Sequence, residues 1–203
     1  MEQYPSIGVK ATPSIEIFAF DKLDGSNIRV EWSKKNGFSK FGSRTRLIDA
    51  TSEPLGESIE LFLKKYADDL EQIYQKSRYE RATAFLEFHG VNSFAGYHEK
   101  EPHDVTLFDV HIYKRGMLPP KEFISVFADK VETPKLLYRG KPNAEFISKV
   151  RKSTLSGMTF EGVVCKSAPV KNRSLNFKIK SEAWLNKLKG KYGADSEMFN
   201  KLK

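Results

Sequence analysis

The chain has 203 residues, one cysteine, and 34 Lys+Arg against 26 Asp+Glu, a formal net charge of +8. That length buries a core without disulfides or metals, and the lone Cys165 excludes an internal disulfide and gives no support to a four-ligand zinc site, which predicts a reducing, cytoplasmic setting. No charged-then-apolar leader opens the sequence and no apolar run reaches the length of a membrane span, so a soluble protein without a membrane partner is expected.

In chain order, alternation of apolar and β-branched residues predicts strands at about Ile15 to Phe20, Asn27 to Trp32 and Phe38 to Gly42. Behind Pro54-Leu55-Gly56, the residues Ile59, Phe62, Leu63, Tyr66, Leu70, Ile73 and Tyr74 recur at helical spacing and predict an amphipathic helix of about five turns. Strands follow at Thr83 to Phe88 and Val105 to Tyr113. Short helices are expected after Pro119-Pro120 and from about Asn143 to Lys152. Strands at Phe160 to Cys165 and Ser174 to Ile179 and a helix from Glu182 to Lys189 complete the order. Strands linked mostly as hairpins, with helices inserted rather than alternating, predict an α+β domain built on antiparallel sheets and not a doubly wound one. No linker or repeat divides the chain, so one domain over 1–203 is expected, with a basic helical tail from about residue 181.

Charge is concentrated late: between Lys166 and Lys191 stand eight basic residues and one acid, Glu182. Such a stretch can cradle triphosphate or a polynucleotide backbone, or it can be a solvated lysine face, and charge alone does not choose.

The segment Phe20-Asp21-Lys22-Leu23-Asp24-Gly25-Ser26-Asn27 runs from a strand into a tight polar turn and back into a strand, with Lys22 at the turn's mouth. A free lysine titrates near about 10.4, so a nucleophilic one needs nearby cations or desolvation, and Lys178 and Lys180 are candidates. Residues two apart on a strand share a face, so Lys178 and Lys180 can look into one cleft while Phe177 and Ile179 pack behind. Taken alone, Lys-x-Asp-Gly is a weak signal, since Asp-Gly turns are common.

Further blocks follow in order: Ser43-Arg44-Thr45, Phe85-Leu86-Glu87-Phe88-His89-Gly90, Leu107-Phe108-Asp109-Val110, Glu161-Gly162-Val163-Val164 and Phe177-Lys178-Ile179-Lys180. With the Lys22 block they resemble the covalent nucleotidyltransferase superfamily of polynucleotide ligases and mRNA capping enzymes, whose motifs run in that order. The wording is most similar to the ATP-dependent RNA ligase adenylation domain. The resemblance implies an ATP-grasp-like antiparallel-sheet nucleotidyltransferase domain, ATP as substrate, Mg²⁺ or Mn²⁺, and RNA, nicked or DNA-bridged, as partner.

It also implies a role for each residue. Lys22 forms the lysyl-adenylate, and Asp21 lies where the family contacts the adenine edge. Asn27 joins the nucleotide-binding set, and Arg44 holds a phosphate of the nucleotide or the 5′ end, which suits a planar fork of donors. Glu87 accepts from a ribose hydroxyl, Phe108 stacks on adenine, and Asp109 orients its neighbours. Glu161 is the metal residue, directly or through water, while Lys178 and Lys180 balance charge as pyrophosphate leaves.

Individually these residues have plainer explanations: Glu87 and Glu161 as strand ends before a Gly turn, Phe108 as core, Lys178 and Lys180 as the wet side of a strand. A phosphate loop GxxxxGK(S/T) and a GxGxxG fingerprint are absent. His98 and His103 lack HExxH spacing, His89 and His111 suit packing or surface positions, and the Asn172-Arg173-Ser174 sequon fits chance. Superfamily DNA ligases and capping enzymes carry an OB-fold after the last motif. Residues 181–203 read instead as one or two basic helices, so a minimal ligase without an OB-fold is expected, with the tail, a second copy (a homodimer) or an accessory protein aiding RNA binding. A small DNA nick ligase and a non-catalytic nucleic-acid-binding relative stay open as alternatives, as does the form of the RNA ends.

Overall fold

The computed structural model describes residues 1–8, 14–91, 93, 100–169 and 175–203. Among them the chain runs β1 (Ile17–Asp21), β2 (Ser26–Ser33), β3 (Gly37–Ser43), β4 (Leu47–Ile48), α1 (Glu57–Lys76), β5 (Arg81–His89), β6 (Asp104–Ile112), β7 (Gly116–Met117), α2 (Pro120–Phe123), β8 (Leu136–Gly140), α3 (Ala144–Arg151), β9 (Gly162–Ser167), β10 (Asn176–Lys180), α4 (Glu182–Tyr192) and α5 (Glu197–Leu202). One wide helical turn over Ile124–Ala128 continues α2. The fold is α+β on antiparallel sheets, with no barrel among the described residues.

By Cα packing the chain divides into two compact units. The first, Met1–Pro5, Gly25–Gly90 and Glu101–Thr133, holds a six-stranded sheet in the order β4-β3-β2-β5-β6-β7. Alternation sends Ile28, Val30 and Trp32 of β2 and Ala82, Ala84, Leu86 and Phe88 of β5 to one face, where they meet Phe62, Tyr66, Leu70 and Tyr74 of α1. Acidic Glu57 and Glu60 in the first turn of α1 and Lys76 in its last complement the helix dipole. Fully buried Trp32 keeps its indole N–H satisfied by donating to Glu71 Oε2 at 2.5 Å. Gly25 opens the strand into β2 because a Cβ there would meet the Phe88 carbonyl.

On β6 the register slips. Asp109 faces Phe85 and Leu107 faces Leu86, leaving Phe108 as the extra residue of a bulge. The bulge resets the inward parity, so the apolar residues that β6 gives to this core are Val105 and Leu107 before it and Val110 and Ile112 after it.

The second unit, Ser6–Asp24, Val91–Lys100 and Pro134–Lys203, holds the four-stranded sheet β10-β9-β1-β8. Ile17, Ala19, Val163, Cys165, Phe177 and Ile179 form one apolar face against Phe146 and Val150 of α3. Asn143 caps α3 by accepting from the Phe146 amide at 2.8 Å, and Ser181 caps α4 through the Trp184 amide at 3.1 Å. Burial pushes the Cys165 thiol up to about 12, which leaves it an inert core group.

Gly162 stands at φ +136°, and the backbone of Ile179 and Lys180 lies where a Cβ would be. Gly162→Ala should therefore strain the β9–β10 pairing beside Lys180. A loss of about 1–3 kcal/mol is expected from the backbone conformation alone, read by chemical unfolding.

Candidate active site

In the second unit, β1 ends at Asp21 and the pairing extends one residue further, the Lys22 amide donating to the Gly162 carbonyl at 3.0 Å. Gly162 pairs with Lys180 on its other side, so Lys22 and Lys180 stand in one row across three strands. Phe177 and Ile179 are buried on the opposite face, and Lys178 lies on the same face as Lys180, facing Val164.

Glu161 joins the two lysines. Lys22 Nζ donates to Glu161 Oε2 at 2.8 Å, and Lys180 Nζ lies 2.9 Å from Oε1. The carboxylate side chain is 4% exposed, that of Lys180 7%, and that of Lys22 20%. Lys22 is thus the member of the trio most open to a ligand. Burial by itself would push the Glu161 carboxyl up, but the Lys22 and Lys180 charges and hydrogen bonds outweigh it and hold it below its ordinary value. Burial pushes Lys180 down to about 8 against the attraction of Glu161, helped by repulsion from Lys22 and Lys178. Two ammonium groups on one carboxylate leave excess positive charge in a largely desolvated place, an arrangement suited to a phosphate.

Neighbouring groups fix this trio. Lys180 lies over the Trp184 ring at 3.5 Å and donates to the Leu202 carbonyl at 2.6 Å, and the Trp184 indole donates to Asp24 Oδ1 at 3.4 Å. The Ser181 hydroxyl donates to the Phe160 carbonyl at 2.7 Å and its amide to the Glu161 carbonyl at 2.9 Å. Asp21 is buried, and its Oδ1 accepts from the Thr159 amide at 2.9 Å and hydroxyl at 3.2 Å, tying down the segment that leads into Glu161.

The remaining expected residues lie in the first unit. Asn27 of β2 faces Glu87 of β5, and Asn27 Oδ1 is buried without a hydrogen-bond partner among the described residues. Phe108 is half-buried on the β6 bulge, beside Phe85 at 6.4 Å between ring centroids. Asp109 is buried and its Oδ1 accepts from the Val110 amide at 3.0 Å. Arg44 is exposed at the tip of the β3–β4 turn, which is closed by the Ser43 amide donating to the Arg46 carbonyl at 2.8 Å.

The late basic stretch splits by environment. Lys180 belongs to the buried trio, whereas Lys187, Lys189 and Lys191 are exposed on α4, and Lys171 and Arg173 lie outside the described residues. His98 and the Asn172-Arg173-Ser174 sequon also lie outside them. His89 is buried with Nε2 2.9 Å from the Thr106 hydroxyl, and His103 sits 2.6 Å from Glu57. Among the described residues, no three His, Cys, Asp or Glu converge as a metal cluster, and no helix is long and apolar enough to cross a membrane. Neither motif nor periodicity singles out Trp184 or Tyr4, which bond Asp24 and Asp109 across 160 and 105 positions.

Solved structures share this fold. A Naegleria gruberi RNA ligase variant with ATP and Mn superposes at a TM-score of 0.68 and 19% identity, covering 92% of this chain and 58% of that one. A variant of the same ligase with AMP and Mn gives 0.64 and 18%, covering 86% and 52%. The ligase with PPi gives 0.64 and 19%, covering 87% and 52%. The chain thus spans about half the length of the solved structures it matches. No curated protein matches the sequence. The RNA ligase family model matches residues 15–182, from the strand before Lys22 to the start of α4, and the chain belongs to the RNA ligase family.

Proposed function

We propose that the chain is an ATP-dependent RNA ligase acting through a covalent lysyl-AMP at Lys22. The observation that carries this is the buried trio: a partly exposed lysine held at 2.8 Å by a carboxylate that also grips a second, buried lysine. A structural ion pair would need one cation, whereas the second supplies charge for an incoming phosphate. Support also comes from the Naegleria ligase structures with ATP, AMP and PPi, which correspond to substrate, transferred group and leaving group of such a reaction.

In the proposed sequence the Lys22 amine, having lost its proton, attacks the α-phosphorus of ATP. A P–N bond forms and the P–O bond to pyrophosphate breaks. AMP then passes to a 5′-phosphate, and a 3′-hydroxyl displaces it to close the strand. Lys178 and Lys180 offset charge on the α-phosphate, and Arg44 holds a phosphate of the nucleotide or the 5′ end. Glu87 and Asn27 present acceptor oxygens to ribose hydroxyls, and Phe108 stacks on adenine. Asp21, at the position that resembles the family's adenine-edge residue, also holds Thr159 in place.

A divalent ion fits this donor set as a companion of the triphosphate. Mg²⁺ and Mn²⁺ at nucleotide sites take one or two carboxylates and complete their shell from phosphate and water, and Glu161 is the carboxylate at hand. Such an ion would neutralise charge developing on pyrophosphate.

The protein should therefore become labelled by ATP carrying label on the α-phosphate, and should seal ends with a ribonucleotide at the 3′-hydroxyl faster than all-DNA ends. Faster sealing of all-DNA nicks would overturn the RNA assignment. The Lys180 ammonium should set an alkaline limb as well. kcat/KM for ATP, which reports the free enzyme, should fall as pH rises through about 8, and Lys180→Arg should move that limb upward. An unchanged limb in the Arg variant would remove Lys180 from phosphate binding.

A further inference from the structure

Tyr4 lies against Phe108, which the proposed function stacks on adenine, and against its neighbours Asp109 and Phe85. Its hydroxyl donates to Asp109 Oδ2 at 3.0 Å, and its ring meets Phe108 edge-on, with centroids 5.0 Å apart and planes at 87°. The same ring meets Phe85 at 5.1 Å and 66°. Burial, then the Asp109 charge and hydrogen bond, then Glu87, hold the Tyr4 phenol well above its ordinary value, so it remains a donor at working pH.

The segment that carries Tyr4 is anchored independently. Arg29 donates to the Glu2 carbonyl through Nη1 at 3.2 Å and to the Ser43 carbonyl through Nε at 2.6 Å. The Met1 ammonium lies 3.1 Å from Glu31 Oε2, with both groups buried. The ring it braces belongs to the bulge, where the β5–β6 register steps from Leu107 to Asp109. Ring contacts from Tyr4 and Phe85 help to set the orientation of Phe108 there.

We infer that Tyr4 is a positioning residue for the nucleotide: it sets the ring of Phe108 and the carboxylate of Asp109, and ATP affinity depends on it. This rests on the proposal that Phe108 stacks on adenine. Three anchors along Met1–Pro5 mark the segment as a built part of this face rather than a loose end competing for it.

The test uses the full chain with Tyr4→Ala and Tyr4→Phe. KM for ATP and kcat of AMP transfer to the protein are measured. The Kd of labelled ATP is measured in a Lys22→Ala background, where binding is read without reaction. Tyr4→Ala should raise KM and Kd by about tenfold with kcat nearly unchanged, the scale of lost aromatic contacts, and Tyr4→Phe, which keeps the ring, should recover most of that. Unchanged KM and Kd in Tyr4→Ala would overturn the inference. Tighter ATP binding would do so as well, since Tyr4 would then be occupying the nucleotide's place. Loss of melting temperature in both variants with equal loss of kcat and affinity would reduce Tyr4 to a structural part. If the wild type binds ATP in a Tyr4-dependent way yet forms no lysyl-AMP, the catalytic proposal fails and the Tyr4 inference stands. If lysyl-AMP forms and Tyr4→Ala is indistinguishable from wild type, only the inference fails.

Discussion

Lys22→Ala should abolish covalent transfer of AMP to the protein, by more than about a thousandfold, as removal of a covalent nucleophile does. Glu161 and Lys180 still pair at 2.9 Å without Lys22, so the variant should stay folded and retain sealing of a strand supplied with its 5′ end already adenylylated. Lys22→Arg separates charge from nucleophilicity. It keeps a cation beside Glu161 Oε2 but has no amine to form the P–N bond, so it should melt like wild type and remain unlabelled. Labelling of either variant at the wild-type rate would place the nucleophile elsewhere.

Glu161→Gln should have the largest effect on stability. The amide is nearly isosteric but leaves Lys180, 7% exposed, with no carboxylate to balance it and with Lys22 and Lys178 repelling it. Removing one partner of a buried pair typically costs about 3–5 kcal/mol. At about 2–4 °C per kcal/mol for a chain of this size, that lowers Tm by roughly 10 °C, and covalent AMP formation should be lost as well. The matching surface control is Glu145→Gln, which breaks an exposed pair with Lys149 at 2.7 Å on α3 and should leave Tm close to that of the wild type.

The acid limb gives the sign of the Glu161 contribution. Because the folded carboxyl is held below its unfolded value, its stabilisation is present at neutral pH and is lost as pH falls below the ordinary carboxylate range through the folded one. Glu161→Gln should therefore lose stability at neutral pH and show a flatter acid limb. Unfolding midpoints across that range test this. A wild-type-like acid limb in the variant would mean other carboxylates carry it.

Periodicity made much of the fold legible in the sequence. Seven apolar residues at helical spacing located α1, and the strand alternations located β1, β2, β3, β5, β6, β9 and β10 within a few residues. The missed strands are β4 and β7, of two residues each, and β8, a sheet edge whose residues are all partly or fully exposed and so show no inward alternation. The tail resolves into two helices, α4 and α5, each with a serine cap.

The site was legible in part for a related reason. Strand geometry places Lys178 and Lys180 on one face from the sequence alone, and Lys22 next to a turn. The salt bridges to Glu161 and the ring of Trp184 under Lys180 depend on strand neighbours and a helix start distant in sequence. The bulge at Phe108 left a trace that is clear only in retrospect: inward apolar positions go from Val105 and Leu107 to Val110 and Ile112, a step of three inside a run of twos. Tyr4 left no trace, because neither periodicity nor motif links a residue of the N-terminal segment to Asp109.

The most direct measurement is mass spectrometry of peptides from the full chain after incubation with ATP and Mg²⁺ or Mn²⁺. One added AMP on the peptide containing Lys22, with the fragment series placing it on that lysine and no such species from Lys22→Arg, is the expected result. AMP on another residue, or an unmodified Lys22 peptide from protein that still seals RNA ends with ATP, would contradict a lysyl-AMP at Lys22.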